Sequence, residues 1–248
     1  MFYFIRRELS LEEPLLNLRV FRQRRFTYSL ILNCIITVAL YSGTFLIPVF
    51  LQDIQQATPL DTALVLLPGS IIMAVMSPVV GKLYSWTGPF WLILGGILLL
   101  GASTWELSNV SVASSHTYVS IMMALRSIGI ALSYMPVTNA GMSAVPKAIT
   151  GHASSVTNWV RQATGALSIA LFSSLLGFRS LAHQKALAGG AAGSADSLVK
   201  AQAMAMGVQD IFLLATVIGL AGIPLAFMLR SGRSRVETIH VVEREAQS

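Results

Sequence analysis

Six long, largely apolar runs divide this chain, at residues 26–51, 62–81, 90–105, 117–140, 152–178 and 211–229, with shorter polar stretches between them. A helix needs about 20 apolar residues to cross about 30 Å of hydrocarbon. The runs approach or exceed that length, so the pattern predicts an all-α membrane protein with six transmembrane helices. Residues 1–25 read as a cytoplasmic N-terminal segment, 26–230 as the transmembrane bundle and 231–248 as a cytoplasmic tail. Pro48, Pro68, Pro78 and Pro136 fall inside the runs, where a membrane bundle tolerates them because neighbours satisfy the freed carbonyls. Gly95, Gly96 and Gly101 give the third run a thin surface for close helix packing.

The polar stretches carry opposite characters in alternation. Arg19, Arg22, Arg24 and Arg25 form a basic collar before the first run, and LRSGRSR follows the last. The stretches QDIQQATPLD and ELSNVSVASSH hold acids and neither lysine nor arginine. Arg179, Lys185 and Lys200 lie in the longer connection 179–210, Arg126 and Arg161 lie inside runs, and the rest of the 17 lysines and arginines fall on one side. By the positive-inside rule that side is cytoplasmic, which puts both termini there and residues 179–210 outside. GKLYSWTGP reads as a short internal loop, and ALAGGAAGSA reads as a flexible linker within 179–210. The opening MFYFI, stopped at once by Arg6 and Arg7, is too short for a cleavable signal. It resembles the last turn of a helix leaving the bilayer, as if Met1 were an internal position of a longer chain.

Composition agrees with the pattern. Hydrophobic residues make up 54% of the chain and charged residues 11%, with a mean hydropathy of +0.67. These values exclude an ordinary soluble enzyme. The net charge of +6 is explained by the collars, so it implies the lipid bilayer as partner and no nucleic acid. Cys34 is the single cysteine, and His116, His152, His183 and His240 are dispersed, so no disulfide, metal site or catalytic cluster is expected. Asn109-Val110-Ser111 matches a glycosylation sequon, a pattern short enough to arise by chance.

The two arginines inside runs are the candidate chemistry. An arginine at membrane depth costs roughly 2.5–3.5 kcal/mol on insertion scales, so it faces a bundle interior or a watery cavity rather than lipid. Arg161 shares a stripe with Ser154, Asn158, Gly165 and Ser168, spaced by three and four residues, and Gln162 borders it. Two readings stand for the stripe: a cavity lining, or polar and small residues holding helices together. Arg126, in register with Met122, Gly129 and Ser133, has no acid placed to pair with it at that depth. It too reads either as a cavity residue or as a structural arginine bonded to backbone.

The runs PLLNLRVFRQRRF, IPVFLQDIQQATPLDTALVLLPG, SPVVGKLYSWTGP and, most specifically, GHASSVTNWVRQATGAL resemble the C-terminal half of fourteen-span drug:proton antiporters of the major facilitator superfamily. The resemblance covers nearly the whole chain and is nearest to the EmrB/QacA-like and lincomycin-resistance exporters. It implies one six-span half of a rocker-switch exporter, with its substrate site between two halves near the midplane. It also implies small-molecule drugs as substrates, a proton gradient as energy source, no cofactor, a plasma-membrane location, and an N-terminal half or second copy as partner. The residues it brings forward as cavity-lining are Asn158, Arg161, Gln162 and Gln52, with Arg126 added on its depth. Pro68, Gly165 and Pro136 are the expected helix hinges. Ser85 and Trp86 stand where the family's gating loop usually has an acid and a base. A membrane scaffold that needs a partner half is the alternative; a lipid-modifying enzyme lacks an acid or histidine cluster.

Overall fold

The computed structural model describes residues 20–21, 23–187 and 197–230. Seven α-helices account for most of them: α1 Arg24–Val49, α2 Pro59–Thr87, α3 Pro89–Leu107, α4 His116–Met142, α5 Thr150–Leu187, α6 Ser197–Leu220 and α7 Ile223–Arg230. No strand occurs among the described residues. Taking α1 with the turn that extends it, and α6 with α7, six units are long and apolar enough to cross a membrane.

Local chemistry sets the boundaries. Pro48 is the next-to-last residue of α1, and the chain leaves the helix through a π-helical turn, Phe50–Ile54, closed by Gln55 N–H donating to Phe50 O at 3.2 Å. A capping box starts α2: Asp61 N–H donates to Thr58 Oγ1 at 3.2 Å, and Thr58 N–H donates to Asp61 Oδ2 at 3.3 Å. Gly88, at φ 77°, turns the chain where a side chain would be strained, and Pro89 opens α3 with its fixed φ. Ser115 caps α4 by accepting from Tyr118 N–H. A short 3₁₀ turn, Lys147–Ile149, leads into α5.

Three expectations about connections are corrected. GKLYSWTGP is helical as far as Thr87, so the turn shrinks to Gly88. The connection 179–210 is mostly helix, because α5 continues to Leu187 and α6 begins at Ser197. Apolar packing and ion pairing extend those helices: Ala203, Ala205 and Val208 are buried, and Asp210 Oδ2 receives Arg179 Nε at 2.8 Å and contacts His183 Nε2 at 2.7 Å. The ALAGGAAGSA linker falls largely outside the described residues. Finally, the sixth span is two helices, broken at Ala221 and Gly222 just before Pro224.

The most intimate packing joins α3 to α4. A Cβ on Gly96 would sit 2.7 Å from Ser133 N, and one on Gly129 would sit 2.6 Å from Leu100 N. Two glycines facing each other thus let the backbones touch, the packing that membrane helices use in place of a hydrophobic drive. Around this contact α4 packs on α1, α2 and α3, while α1 also packs on α5 and α6. A large apolar cluster at the Gln55 end joins Phe50, Leu51, Leu107, Val119, Phe172 and Phe212. A smaller one at the Arg24 end joins Phe26, Leu30, Val145, Ala153 and Val156.

The two flanking helices are the least covered. Of α2, only Thr62, Val65, Gly69 and Val80 are buried, and Leu60, Leu64, Leu67, Ile71 and Val75 form an exposed stripe at helical spacing. On α5, Trp159, Leu167, Leu171 and Phe178 are exposed. Apolar stripes of this length face lipid or another protein surface.

Candidate functional site

Arg126 sits in the interior of the bundle, 2% exposed. Its Nη2 donates to Ala39 O and, at 3.1 Å, to Ser42 Oγ, both on α1; its Nε donates to Thr104 Oγ1 on α3 at 3.3 Å. The two hydroxyls are themselves anchored, Ser42 to Ala39 O at 2.7 Å and Thr104 to Leu100 O at 2.6 Å. Gly43 makes the room, since a Cβ there would lie 2.6 Å from the guanidinium carbon. No carboxylate pairs with Arg126 among the described residues. Its contacts are therefore those of an arginine solvated by a carbonyl and two hydroxyls, tying α4 to α1 and α3.

The stripe on α5 divides along its length. Gly165 and Ser168 are buried, and a Cβ on Gly165 would lie 2.5 Å from the Tyr41 ring of α1, so this part is a helix contact. Ser154, Asn158 and Gln162 are exposed, and Arg161 is half-buried beside them. Arg161 Nη2 donates to Asn158 Oδ1 at 3.4 Å, while its Nε is buried without a partner among the described residues. An arginine with one engaged donor and one unsatisfied donor is not serving as packing glue of the Arg126 kind. It retains donors for another group.

The remaining expected residues are dispersed. Gln52 lies half-buried in the π-helical turn after α1 and makes no hydrogen bond among the described residues. Pro68 lies within α2 and Pro136, buried, within α4, and both helices continue past their prolines. The structure therefore groups Asn158, Arg161 and Gln162 on one face of α5, and separates them from Arg126, which α1 and α3 enclose.

Sequence reasoning missed the ties that fix these helices. Ser29 Oγ donates to Val137 O, and Asn33 Nδ2 donates to Thr138 Oγ1 at 3.2 Å, joining α1 to α4. At the other end Gln55 Nε2 donates to Ser114 O at 2.7 Å and Gln209 Nε2 to Val110 O at 2.6 Å, holding the α3–α4 loop from both sides. No local signal announces such partners. The Asp210 cluster did leave one, since Arg179 and His183 stand four residues apart and Asp210 begins the last apolar run. No group of three metal-ligating side chains occurs among the described residues.

This arrangement defines a multi-pass membrane helix bundle: six membrane-length units, a polar tie buried among the inner helices, and two sparsely covered flanking helices. The Major Facilitator Superfamily model matches residues 5–169, and the chain belongs to that superfamily. It is 34% identical over 185 residues to the uncharacterized MFS-type transporter YhcA of Bacillus subtilis, covering 75% of this chain and 35% of YhcA. It is 30% identical over 224 residues to the lincomycin resistance protein LmrB of the same organism, covering 90% of this chain and 46% of LmrB. It is also 28% identical over 180 residues to the colistin resistance protein EmrB of Acinetobacter baumannii, covering 73% of this chain and 35% of EmrB. The chain spans at most about half the length of these relatives. Proteins of this superfamily are carriers, and six spans of matching family make this a multi-pass membrane protein.

Proposed function

We propose that the chain forms one half of a proton-coupled multidrug exporter of the plasma membrane, acting with an N-terminal half and without a cofactor or enzymatic step. The observation that carries this reading is the exposed face of α5, where Arg161 has an unsatisfied buried donor beside Asn158 and Gln162 inside a membrane-length helix. The sparse cover of α2 and α5 and the resistance-protein names of relatives about twice as long support it. In this reading α2 and α5 meet the second half, Arg161, Asn158 and Gln162 line the path between them, and Arg126 belongs to the scaffold. Pro68 and Gly165 serve as points where α2 and α5 bend during alternating access. Co-expression with the N-terminal half of a relative such as LmrB is expected to lower drug accumulation in cells, with the effect lost on collapsing the proton gradient. Unchanged accumulation with both halves present in the membrane would favour a non-transporting scaffold.

Arg161→Ala is expected to reduce efflux at least roughly tenfold with membrane abundance near wild type, because its guanidinium carries little of the packing. Arg161→Lys should recover part of the efflux, since lysine keeps the charge and loses the planar fork of donors. Quantitative blotting alongside an efflux assay separates the outcomes: full efflux in the alanine variant ends the path-lining role.

We further propose that both termini are cytoplasmic, which places the α3–α4 loop outside. With Cys34→Ser as background, Ala113→Cys should react with an impermeant thiol reagent on intact cells. Protection until the cells are lysed would reverse the orientation.

A further inference from the structure

At the Gln55 end of the bundle, α5 and α6 run side by side beyond their apolar stretches. The 38 residues of α5 make a rod of about 57 Å at about 1.5 Å per residue, against about 30 Å of hydrocarbon. Gly207 of α6 draws the two helices together, since a Cβ there would meet Leu176 Cδ1 at 3.2 Å and Ser180 N at 3.4 Å. Asp210 stands three residues further along and so shares that face. Arg179 and His183, four residues apart, share the facing side of α5.

Asp210 Oδ2 accepts from Arg179 Nε at 2.8 Å and lies 2.7 Å from His183 Nε2. The side chains of His183 and Asp210 are 24% and 23% exposed, sheltered enough to act on each other and open enough to exchange protons with water. Arg179 and His183 are the charges acting on Asp210 among the described residues. Lys185 and Lys200 on the same helix ends, Asp53 of the π-helical turn, Glu106 of α3 and His116 of α4 make no ion pair with the cluster.

These groups answer to pH differently. Arginine keeps its charge throughout, whereas histidine is the side chain that ordinarily changes charge between pH 5 and 8. Facing an ionised carboxylate, His183 Nε2 donates whether its ring is neutral or protonated. A proton taken from water at Nδ1 therefore leaves that hydrogen bond in place and adds a positive charge behind it, which strengthens it. Without the carboxylate, the same proton would set two cations four residues apart on one helix face, where they repel.

We propose that Arg179, His183 and Asp210 form a pH-graded clamp between the ends of α5 and α6, tightened when His183 takes up a proton. Arg179 supplies a constant hold and His183 a variable one. In the orientation proposed above the clamp faces outside, so acid there would hold the end of α5 to α6 while its Arg161 part stays free to bend at Gly165. That consequence rests on the export reading; the clamp itself does not.

Spin labels at Ala186→Cys and Gln202→Cys, two exposed positions on the facing helix ends, test it in the purified 248-residue chain with Cys34→Ser, in lipid nanodiscs. Label distances would be measured by pulsed resonance at about pH 5.5 and about pH 8, on either side of the ordinary histidine midpoint. The population with separated helix ends should be roughly threefold smaller at the lower pH, the scale of one part-exposed ion pair. His183→Gln keeps a neutral donor and cannot gain a charge, so its distances should be the same at both pH values. Asp210→Asn should reverse the response, with more separation in acid. Arg179→Gln should raise separation at both pH values and keep the response, and His116→Gln should behave as wild type. Distances independent of pH in the wild type, a response that survives His183→Gln, or Asp210→Asn behaving as wild type would overturn the clamp. A working clamp in a chain that fails the co-expression assay would refute export alone, and export without the pH response would refute the clamp alone.

Discussion

Gly129→Ala is expected to cost the bundle about 2–3 kcal/mol, near the upper end for overpacking, because the added carbon meets backbone rather than a side chain that can swing away. The ideal Cβ lies 2.6 Å from Leu100 N and 2.9 Å from Gly96 O, so α3 must back away from α4 along its length. Retreat of α3 also loosens Thr104, one of the hydroxyls that solvate Arg126. Membrane abundance should fall several-fold, and the unfolding midpoint of the purified chain should drop by several degrees. Gly95→Ala is the matched control: nothing lies within 4 Å of its Cβ, and alanine is the better helix former, so it should be neutral or slightly stabilising. Once Gly129→Ala has separated the helices, adding Gly96→Ala should cost little more, and that non-additivity is the signature of a shared backbone contact. Equal midpoints for the Gly95 and Gly129 variants would contradict the packing described.

Arg126→Ala is expected to be as damaging, at about 3–5 kcal/mol, chiefly through the cavity left by a fully buried large side chain. Arg126→Met should cost much less, about 1 kcal/mol, for two reasons. Methionine refills most of the space, and removing a buried cation that no carboxylate balances also removes its desolvation penalty. The hydroxyls of Ser42 and Thr104 keep their own carbonyl acceptors in the methionine variant, so no hydroxyl is orphaned. Arg126→Lys should fall between, because a compact ammonium cannot span Ala39, Ser42 and Thr104 together. Unfolding midpoints in the order wild type, methionine, lysine, alanine would identify a tie between α1, α3 and α4. A methionine variant of normal abundance whose export is abolished, when assayed with a partner half, would instead give Arg126 a part in transport.

The contrast between the two arginines shows how far the chain could be read without its fold. Both stand in apolar runs, and the intramembrane cost of arginine marks each as buried in protein or facing water. Nothing local separates them. Arg126 is defined by residues 22, 84 and 87 positions away, and by Gly43, whose lack of a side chain admits the guanidinium. The stripe through Asn158, Arg161 and Gly165 was legible as a stripe, yet only Tyr41 of α1 decides that its Gly165 end is a contact while its Asn158 end is left exposed.

The sequence by itself determined the class of protein, the number of spans, and the superfamily, because these rest on local properties. A helix in lipid closes its own backbone hydrogen bonds, so length and apolarity suffice to announce it, and Gly88-Pro89 announces a turn by its own dihedral limits. Helix ends were less legible: α2, α5 and α6 each run beyond their apolar stretches, and α5 and α6 are held together there by Arg179 and His183, which meet Asp210 across the helices. Which face of each helix is buried belonged to the tertiary structure alone. Membrane helices are apolar nearly all round, so hydrophobicity gives them no inward direction. Orientation comes instead from steric fit, from where Gly96 meets Gly129 and Gly69 meets Ser127, and those meetings set which face of α4, and with it Arg126, lies inside.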